Sequence, residues 1–562
     1  MRRVVGGASL VLAVSATAWA SAWGSASIRA TSTETRLLIP ARPDDRTIAH
    51  VLNRIGFGPT PGDIARVRAI GLDAYIDQQL HPERIADSGL ASRLSELPTL
   101  AKNTGELTQE YFLPAQMARQ RQQRAVAGQA MPAGTDPGAA AMPDTAPSTA
   151  IGRERIVLLE LSQQKILRAT YSERQLEEVM VDFWFNHFNV FAAKGLTRVY
   201  LSEYERDAIR PHVLGRFRGL LQATAESPAM LFYLDNWQSA APSSAAMSGG
   251  RREARRGPGR AAVADRQRTI TGEDRPRAQQ NRRRGLNENY ARELMELHTL
   301  GVDGGYSQKD VQEVARAFTG WTITNPRQGG PFTFVPRMHD DGEKTVLGHR
   351  IESGGGKSDG EQVLDILAGH PSTARHIATK LARRFVSDEP PPALVDRAAK
   401  RFLDTRGDIR EVVRTIIESP EFFASASYRA KVKSPFEFVV SALRAIQIDV
   451  VNALPLVGSL RQLGMPLYLC QSPTGYGDKA EAWVNAGALL NRMNFAVALT
   501  GGRMRGIRSD TARATAVTAA AVLTGRVLAG DVSSTTSATV ARATTAPQAM
   551  ALVLGSPDFQ KR

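Results

Sequence analysis

The chain has 562 residues, 42% hydrophobic and 23% charged, with a formal net charge of +15. That much apolar material can bury a large core, in about two to four units at the usual domain size, and excludes a wholly disordered chain. A single cysteine, Cys470, excludes both an internal disulfide and a multi-thiolate metal site. No lysine or arginine lies close to it in sequence, so it reads as a small buried apolar group.

In chain order, residues 1–26 read as an export signal: Arg2 and Arg3, an apolar run from Val4 to Val14, then Ala18-Trp19-Ala20 as the cleavage site. The residues after the arginine pair, Val4-Val5-Gly6, add nothing for a twin-arginine route, so general secretion is expected. No later run is long and apolar enough to span a bilayer and no cysteine near the signal can take a lipid, so a soluble exported chain without a transmembrane span is expected. A linker over 27–45 precedes a helical domain over 46–500 and a C-terminal helical segment over 501–562.

Within the domain, HVLNRIGFGPTPGDIARVRAIGLDAYIDQQL predicts two short helices separated by Gly58-Pro59-Thr60-Pro61. The Ala-, Gly-, Pro- and Met-rich stretch 120–150 reads as flexible. Helical patterns run to about Trp237, and 238–284 reads as a disordered basic insertion, with twelve arginines against four acids between Arg251 and Arg284. That excess of eight is over half of the net charge. The insertion lacks stacking aromatics, so no nucleic-acid partner is expected; its sharper reading is a contact with an anionic surface such as lipid or a polyanion.

Ser172 with Gln175, Asp408 with Glu411, and Ser434-Pro435 with Glu437 mark helix starts. IIESPEF and LVLGSPDF read as a shared helix-terminating device. PFTFVP and KTVLGHRI alternate as strands and predict one hairpin across MHDDGE. The expected fold is therefore mainly α, a multi-helix globular domain with one small β-hairpin and disordered insertions.

Familiar signatures are absent. SGGGKS lacks the earlier glycine and the preceding strand of a phosphate-binding loop, and there is no HExxH, Gly-x-Ser-x-Gly or EF-hand loop. NENYARELMELHTLG instead forms an amphipathic helix whose Glu288, Asn289, Arg292, Glu293, Glu296 and Thr299 share an arc of about 140°. Taken alone it is a solvated face with Glu288–Arg292 and Arg292–Glu296 pairs, and His298 lies on its apolar flank.

SERQLEEVMVDFWFNHFNV changes that balance, because Glu178, Asp182, Asn186 and Asn189 form a polar stripe on a helix otherwise clad in Phe183, Trp184, Phe185 and Phe188. Buried carboxylates need partners, and the Glu288/Arg292/Glu296 face is the candidate partner surface. The candidate catalytic set is His187, Asp182, Glu178, Glu288, Arg292 and Glu293, with His187 as acid or base, Arg292 holding an anion or carboxylate, and the acids orienting or binding metal. RMHDDGEK adds His339 and Asp340 as candidate metal ligands, although Asp-Asp-Gly is also ordinary turn chemistry. The Glu-x-x-His pairs of di-iron bundles are missing, and no cofactor is assigned.

HVLNRIGFGPTPGDI, DFWFNHFNV, NENYARELMELHTLGVDGGYSQKDVQEVARAFTGW, HDDGEKTVLG, KSPFEF and WVNAGALLNRMNF occur here in the order of the DUF1800 family of exported bacterial proteins, which the chain resembles over about Ala49 to Leu499. The stretch 120–150 and the arginine-rich insertion depart from the family pattern. The resemblance implies a periplasmic or extracellular location and a DUF1501-type exported protein as partner. It also implies retention of His187 and His339, with phenylalanine often at the position of His298. No mechanism comes with it. Two functions stand from the sequence: an exported protein with a buried polar site doing hydrolytic or oxidative chemistry, with or without metal, or a non-catalytic envelope scaffold.

Overall fold

The computed structural model describes residues 39–40, 42–126, 147–242, 285–508 and 515–562. It divides into a unit Met1–Leu37 and a unit Leu38–Arg562, and every described residue belongs to the second. The expected signal, almost all of the linker, the greater part of 120–150 and the arginine-rich insertion lie outside the described residues.

Helices dominate, as the apolar periodicity requires. The first, α1 (Asp45–Arg54), is capped by Asp44, which accepts from the Thr47 amide. Then come α2 (Pro147–Tyr171), α3 (Gln175–His187), α4 (Phe217–Glu226), α5 (Glu288–Glu296), α6 (Gln308–Ala317), α7 (Lys357–Gly369) and α8 (Pro371–Phe385). Beyond these lie α9 (Pro392–Asp404), α10 (Ile409–Ile417), α11 (Pro435–Ala445) and α12 (Ala486–Thr500). From α5 to α10 each helix packs on the next, and α4 lies against α7.

The capping expectations divide. Ser434 and Glu437 make the full reciprocal box at α11, and Asp408 caps α10 by accepting from the Glu411 amide. Ser172 does not hold the N-cap position of α3, which falls on Arg174; its hydroxyl accepts from the Arg174 amide at 3.0 Å, and the Gln175 side chain donates to the Ser172 and Ala169 carbonyls. In both Ser-Pro-acid-Phe repeats the serine caps a new one-turn helix, Pro420–Phe423 and Pro557–Gln560, so the device starts an element as well as ending one. Part of the stretch expected to be flexible is helical: a helix runs over Leu113–Val126, and α2 begins at Pro147.

The single hairpin is corrected to three two-stranded antiparallel sheets among the described residues. Strands β1 (Trp321–Ile323) and β2 (Phe332–Phe334) pair with Trp321 opposite Phe334. The second expected strand folds back on itself, β3 (Lys344–Val346) against β4 (His349–Ile351). Leu347 and Gly348 both adopt positive φ, 49° and 80°, which is the two-residue turn that closes a tight hairpin. The third pair is β5 (Asp449–Val450) with β6 (Ile507–Arg508).

Helix α3 lies inside the core. Trp184 is fully buried, and its ring meets Phe183, His187, Phe188 and Phe217 with centroids 4.9 to 6.0 Å apart. This cladding fixes where the polar residues of α3 emerge.

Candidate functional site

The polar stripe running along α3 is buried at Glu178 and Asn189 and half-buried at Asp182 and Asn186, and its charges are paired. The partners differ from those expected. Glu178 takes both terminal nitrogens of Arg210 at 2.7 and 3.0 Å, with Arg168 at 3.7 Å. Asp182 pairs with Lys165 at 2.6 Å. Asn186 clamps Tyr476 through both of its backbone groups, donating to the carbonyl at 2.9 Å and accepting from the amide at 2.7 Å. Asn189 donates to the Cys470 and Ser472 carbonyls.

Helix α5 turns its polar face to α6. Gln308 donates to Glu288 at 2.7 Å and accepts from Arg292 at 2.7 Å, so the expected Glu288–Arg292–Glu296 ladder is replaced by a shared glutamine. Glu296 accepts from the Tyr306 hydroxyl at 2.9 Å. Burial, with Glu296 nearby, makes the Glu293 carboxyl hold its proton more tightly than usual, and Arg292 opposes this. Glu178, Asp182, Glu288 and Arg292 therefore belong to separate local networks.

His339 and Asp340 lie in a third place. Both His339 ring nitrogens are engaged, Nδ1 by the Thr319 carbonyl at 2.8 Å and Nε2 by Asp359 at 3.1 Å, and Lys344 reaches the same Asp359 oxygen at 2.6 Å. All three of these side chains are buried. Asp340 is bidentate to Arg316, 3.0 Å on each side. Among the described residues no three His, Cys, Asp or Glu side chains are grouped so that they could hold a metal ion.

His187 alone of the expected set reaches a large opening. It lines a cleft of about 550 Å³ between one face of α8, the chain from Glu296 to Asp303 after α5, and the loop Thr474–Lys479. The α8 face is a helical stripe of Ser372, Arg375, His376, Thr379, Lys380 and Arg383.

The carbonyl of His298 lies 3.1 Å from His187 Nε2. A carbonyl only accepts, so Nε2 carries the hydrogen and Nδ1 is left with a lone pair; Nδ1 is buried and has no hydrogen-bond partner in the protein. The His187 ring centroid is 6.3 Å from that of His298 and 6.1 Å from that of His376, whose Nε2 is likewise buried and unpartnered. Gly301 makes room for this: at φ 85° it turns the chain, and a Cβ there would lie 3.0 Å from His376 Nδ1.

All three imidazoles are held neutral. Burial, then the neighbouring Lys380 charge, lowers the proton affinity of each: His298 falls to about 3, His376 to about 4, and His187 well below the usual range. Burial also lowers Lys380 itself, with Arg383 adding and Asp478 opposing. Lys380 makes no ion pair or hydrogen bond among the described residues, whereas Arg375 is tied to Asp396 and Lys479 to Glu389. Two unpartnered imidazole nitrogens and an amine without an ion pair thus belong to residues that line one cleft, a set suited to proton transfer.

His187 was visible in the sequence through its aromatic helix. His376, Lys380 and the Thr474–Lys479 loop were not: HIATKLARRF reads as an ordinary basic helix face, and only its i, i+4, i+7 spacing of His376, Lys380 and Arg383 hints at a wall.

Fold and cleft together define a mainly helical protein with a histidine-floored cleft. Over residues 50–561 the chain matches the family described as "Protein of unknown function (DUF1800)", and it belongs to that family. Neither the curated proteins nor the solved structures contain a match. No helix among the described residues is long and apolar enough to cross a membrane.

Proposed function

We propose that the protein is an exported acid–base enzyme whose reaction centre is the α8 cleft, with His187 Nδ1 and His376 Nε2 as the proton-transfer atoms. The carrying observation is that both nitrogens are buried without a partner on imidazoles that line one cleft. Hydrolysis is the reaction class these groups serve directly: one neutral imidazole takes a proton from water as it attacks, and an imidazolium returns it to the leaving group. Burial is the main cause of the low proton affinity of these histidines and Lys380 the next, so a ligand that neutralises Lys380 offsets the second of the two. Export rests on the Arg2-Arg3 and Val4–Val14 pattern and is checked by sequencing the amino terminus of the secreted chain.

The test uses the purified full chain with nitrophenyl acetate, phosphate and sulfate as probes. Turnover is expected on at least one, falling about 10²-fold or more in His187→Gln and in His376→Gln with melting temperatures little changed. Turnover that survives in the double variant overturns the assignment. A scaffold is the second reading, favoured by the commitment of Glu178, Asp182 and Asp340 to internal ion pairs. It predicts inertness toward every probe and stable binding to a co-encoded DUF1501-type protein.

A further inference from the structure

The cleft carries charge as well as imidazoles, and sorting that charge by what already holds it says what the ligand must bring. At the outer rim Arg375 and Lys479 are neutralised by Asp396 and Glu389, and Glu296 is occupied by the Tyr306 hydroxyl. Farther along the α8 face, Arg383 uses only Nε, toward the Asp388 carbonyl at 3.1 Å, and has no carboxylate within ion-pair distance among the described residues. Lys380, one turn from His376 and half-buried, has no hydrogen-bond or ion-pair partner among the described residues. Asp478 is the carboxylate that acts on Lys380, yet it lies beyond ion-pair reach; Asp303, the other uncommitted acid, is exposed. A half-buried ammonium without a counter-ion, set in a cleft beside imidazoles that bring no negative charge, is complemented by an anion.

We infer that the Lys380–Arg383 stretch of α8 is an oxyanion seat, and that the ligand of the cleft is a small anionic molecule bearing a carboxylate, phosphate or sulfate group. This rests on the cleft being the reaction centre and deepens that reading. The seat places the anionic group one helical turn from His376, so the adjoining part of the ligand lies against the open imidazole nitrogens. Lys380 and Arg383 bind and orient; they are positioning residues, and the proton-transfer role stays with the histidines.

Isothermal titration of the full chain at pH 7 with inorganic phosphate, sulfate and acetate tests the seat. Saturable binding of at least one is expected, and which one distinguishes a tetrahedral oxyanion from a carboxylate. Lys380→Met weakens it about tenfold or more, Lys380→Arg retains it within about threefold, and Arg375→Met, at the paired rim, leaves it unchanged. Phosphate or its best-binding substitute also shifts the His376 imidazole resonances in the wild type and not in Lys380→Met, a readout that a purely structural lysine would not move. Absence of saturable binding by all three ions, or equal binding by Lys380→Met, overturns the seat. The two proposals separate cleanly: His187→Gln and His376→Gln retain anion affinity while turnover is lost if both hold. Turnover without Lys380-dependent binding leaves the reaction centre and removes the seat, and binding without turnover does the reverse.

Discussion

At the scale of single residues, burial settles what each histidine does. The main-chain carbonyl of His298 accepts from His187 Nε2, and its ring is buried against Phe188 at 5.0 Å, so it orients the site from behind. Its proton affinity, pulled down to about 3 by burial and then by Lys380, makes it a liability in acid. The unfolded chain protonates this imidazole below about 6.5 while the folded one does not, so its contribution to stability is complete above that pH and is lost progressively as pH falls toward 3. The slope is on the order of 1 kcal/mol per pH unit for each such histidine, and His187, His376 and His50, all lowered chiefly by burial, add to it. His298→Phe keeps the carbonyl, suits the apolar surroundings and removes one titration. Urea denaturation at pH 7, 6, 5 and 4 should show wild-type stability falling steeply and that of the variant falling less; identical slopes would mean that His298 is already protonated in the fold.

At the scale of elements, the sequence showed which helices exist better than what they touch. The aromatic cladding of α3 required burial, and burial required partners for Glu178 and Asp182; both inferences follow from residue type alone. The partners themselves, Arg210 and Lys165, are ordinary cations in helical stretches with nothing local to single them out, which is why the polar face of α5 was expected instead. Likewise HDDGEK looked like a ligand turn because His339 and Asp340 are adjacent, whereas the chain sends one to Asp359 and the other to Arg316. Long-range pairing is set by packing, and local pattern does not encode it. The same holds for the Thr474–Lys479 loop, whose position depends on Asn186 next to the catalytic candidate. Gly475 permits the contact, since a Cβ there would meet the Asn186 carbonyl oxygen at 2.2 Å. Asn186→Ala deletes two hydrogen bonds to Tyr476, about 1 to 2 kcal/mol in total, and should act mainly on the loop. Hydrogen exchange over 474–479 is expected to rise well above wild type while α3 stays protected; unchanged exchange would mean that the loop is held by something other than Asn186.

At the scale of the whole molecule, the arginine-rich insertion leaves and re-enters the fold at one point. The Ala240 amide donates to the Gly285 carbonyl at 3.3 Å, and the Asn287 amide donates to Ser239 Oγ at 3.2 Å. Both sides are thus stitched together by residues outside Arg251–Arg284, and the family match runs across the whole region. Replacing residues 243–283 by a short Gly-Ser linker shortens a closed loop about severalfold, which by loop-closure entropy favours folding by roughly 1 to 2 kcal/mol. The melting temperature should therefore hold or rise slightly, and turnover in the cleft should persist. What the deletion removes is charge, seven of the fifteen net positive units of the chain. If the insertion docks an anionic surface, the full chain sediments with phosphatidylglycerol vesicles at low ionic strength and is released as salt shortens the screening length, while the deleted chain does not sediment at all. Equal sedimentation of both chains would place the docking surface on the folded body, and a collapse in melting temperature would show that the insertion contributes to the core.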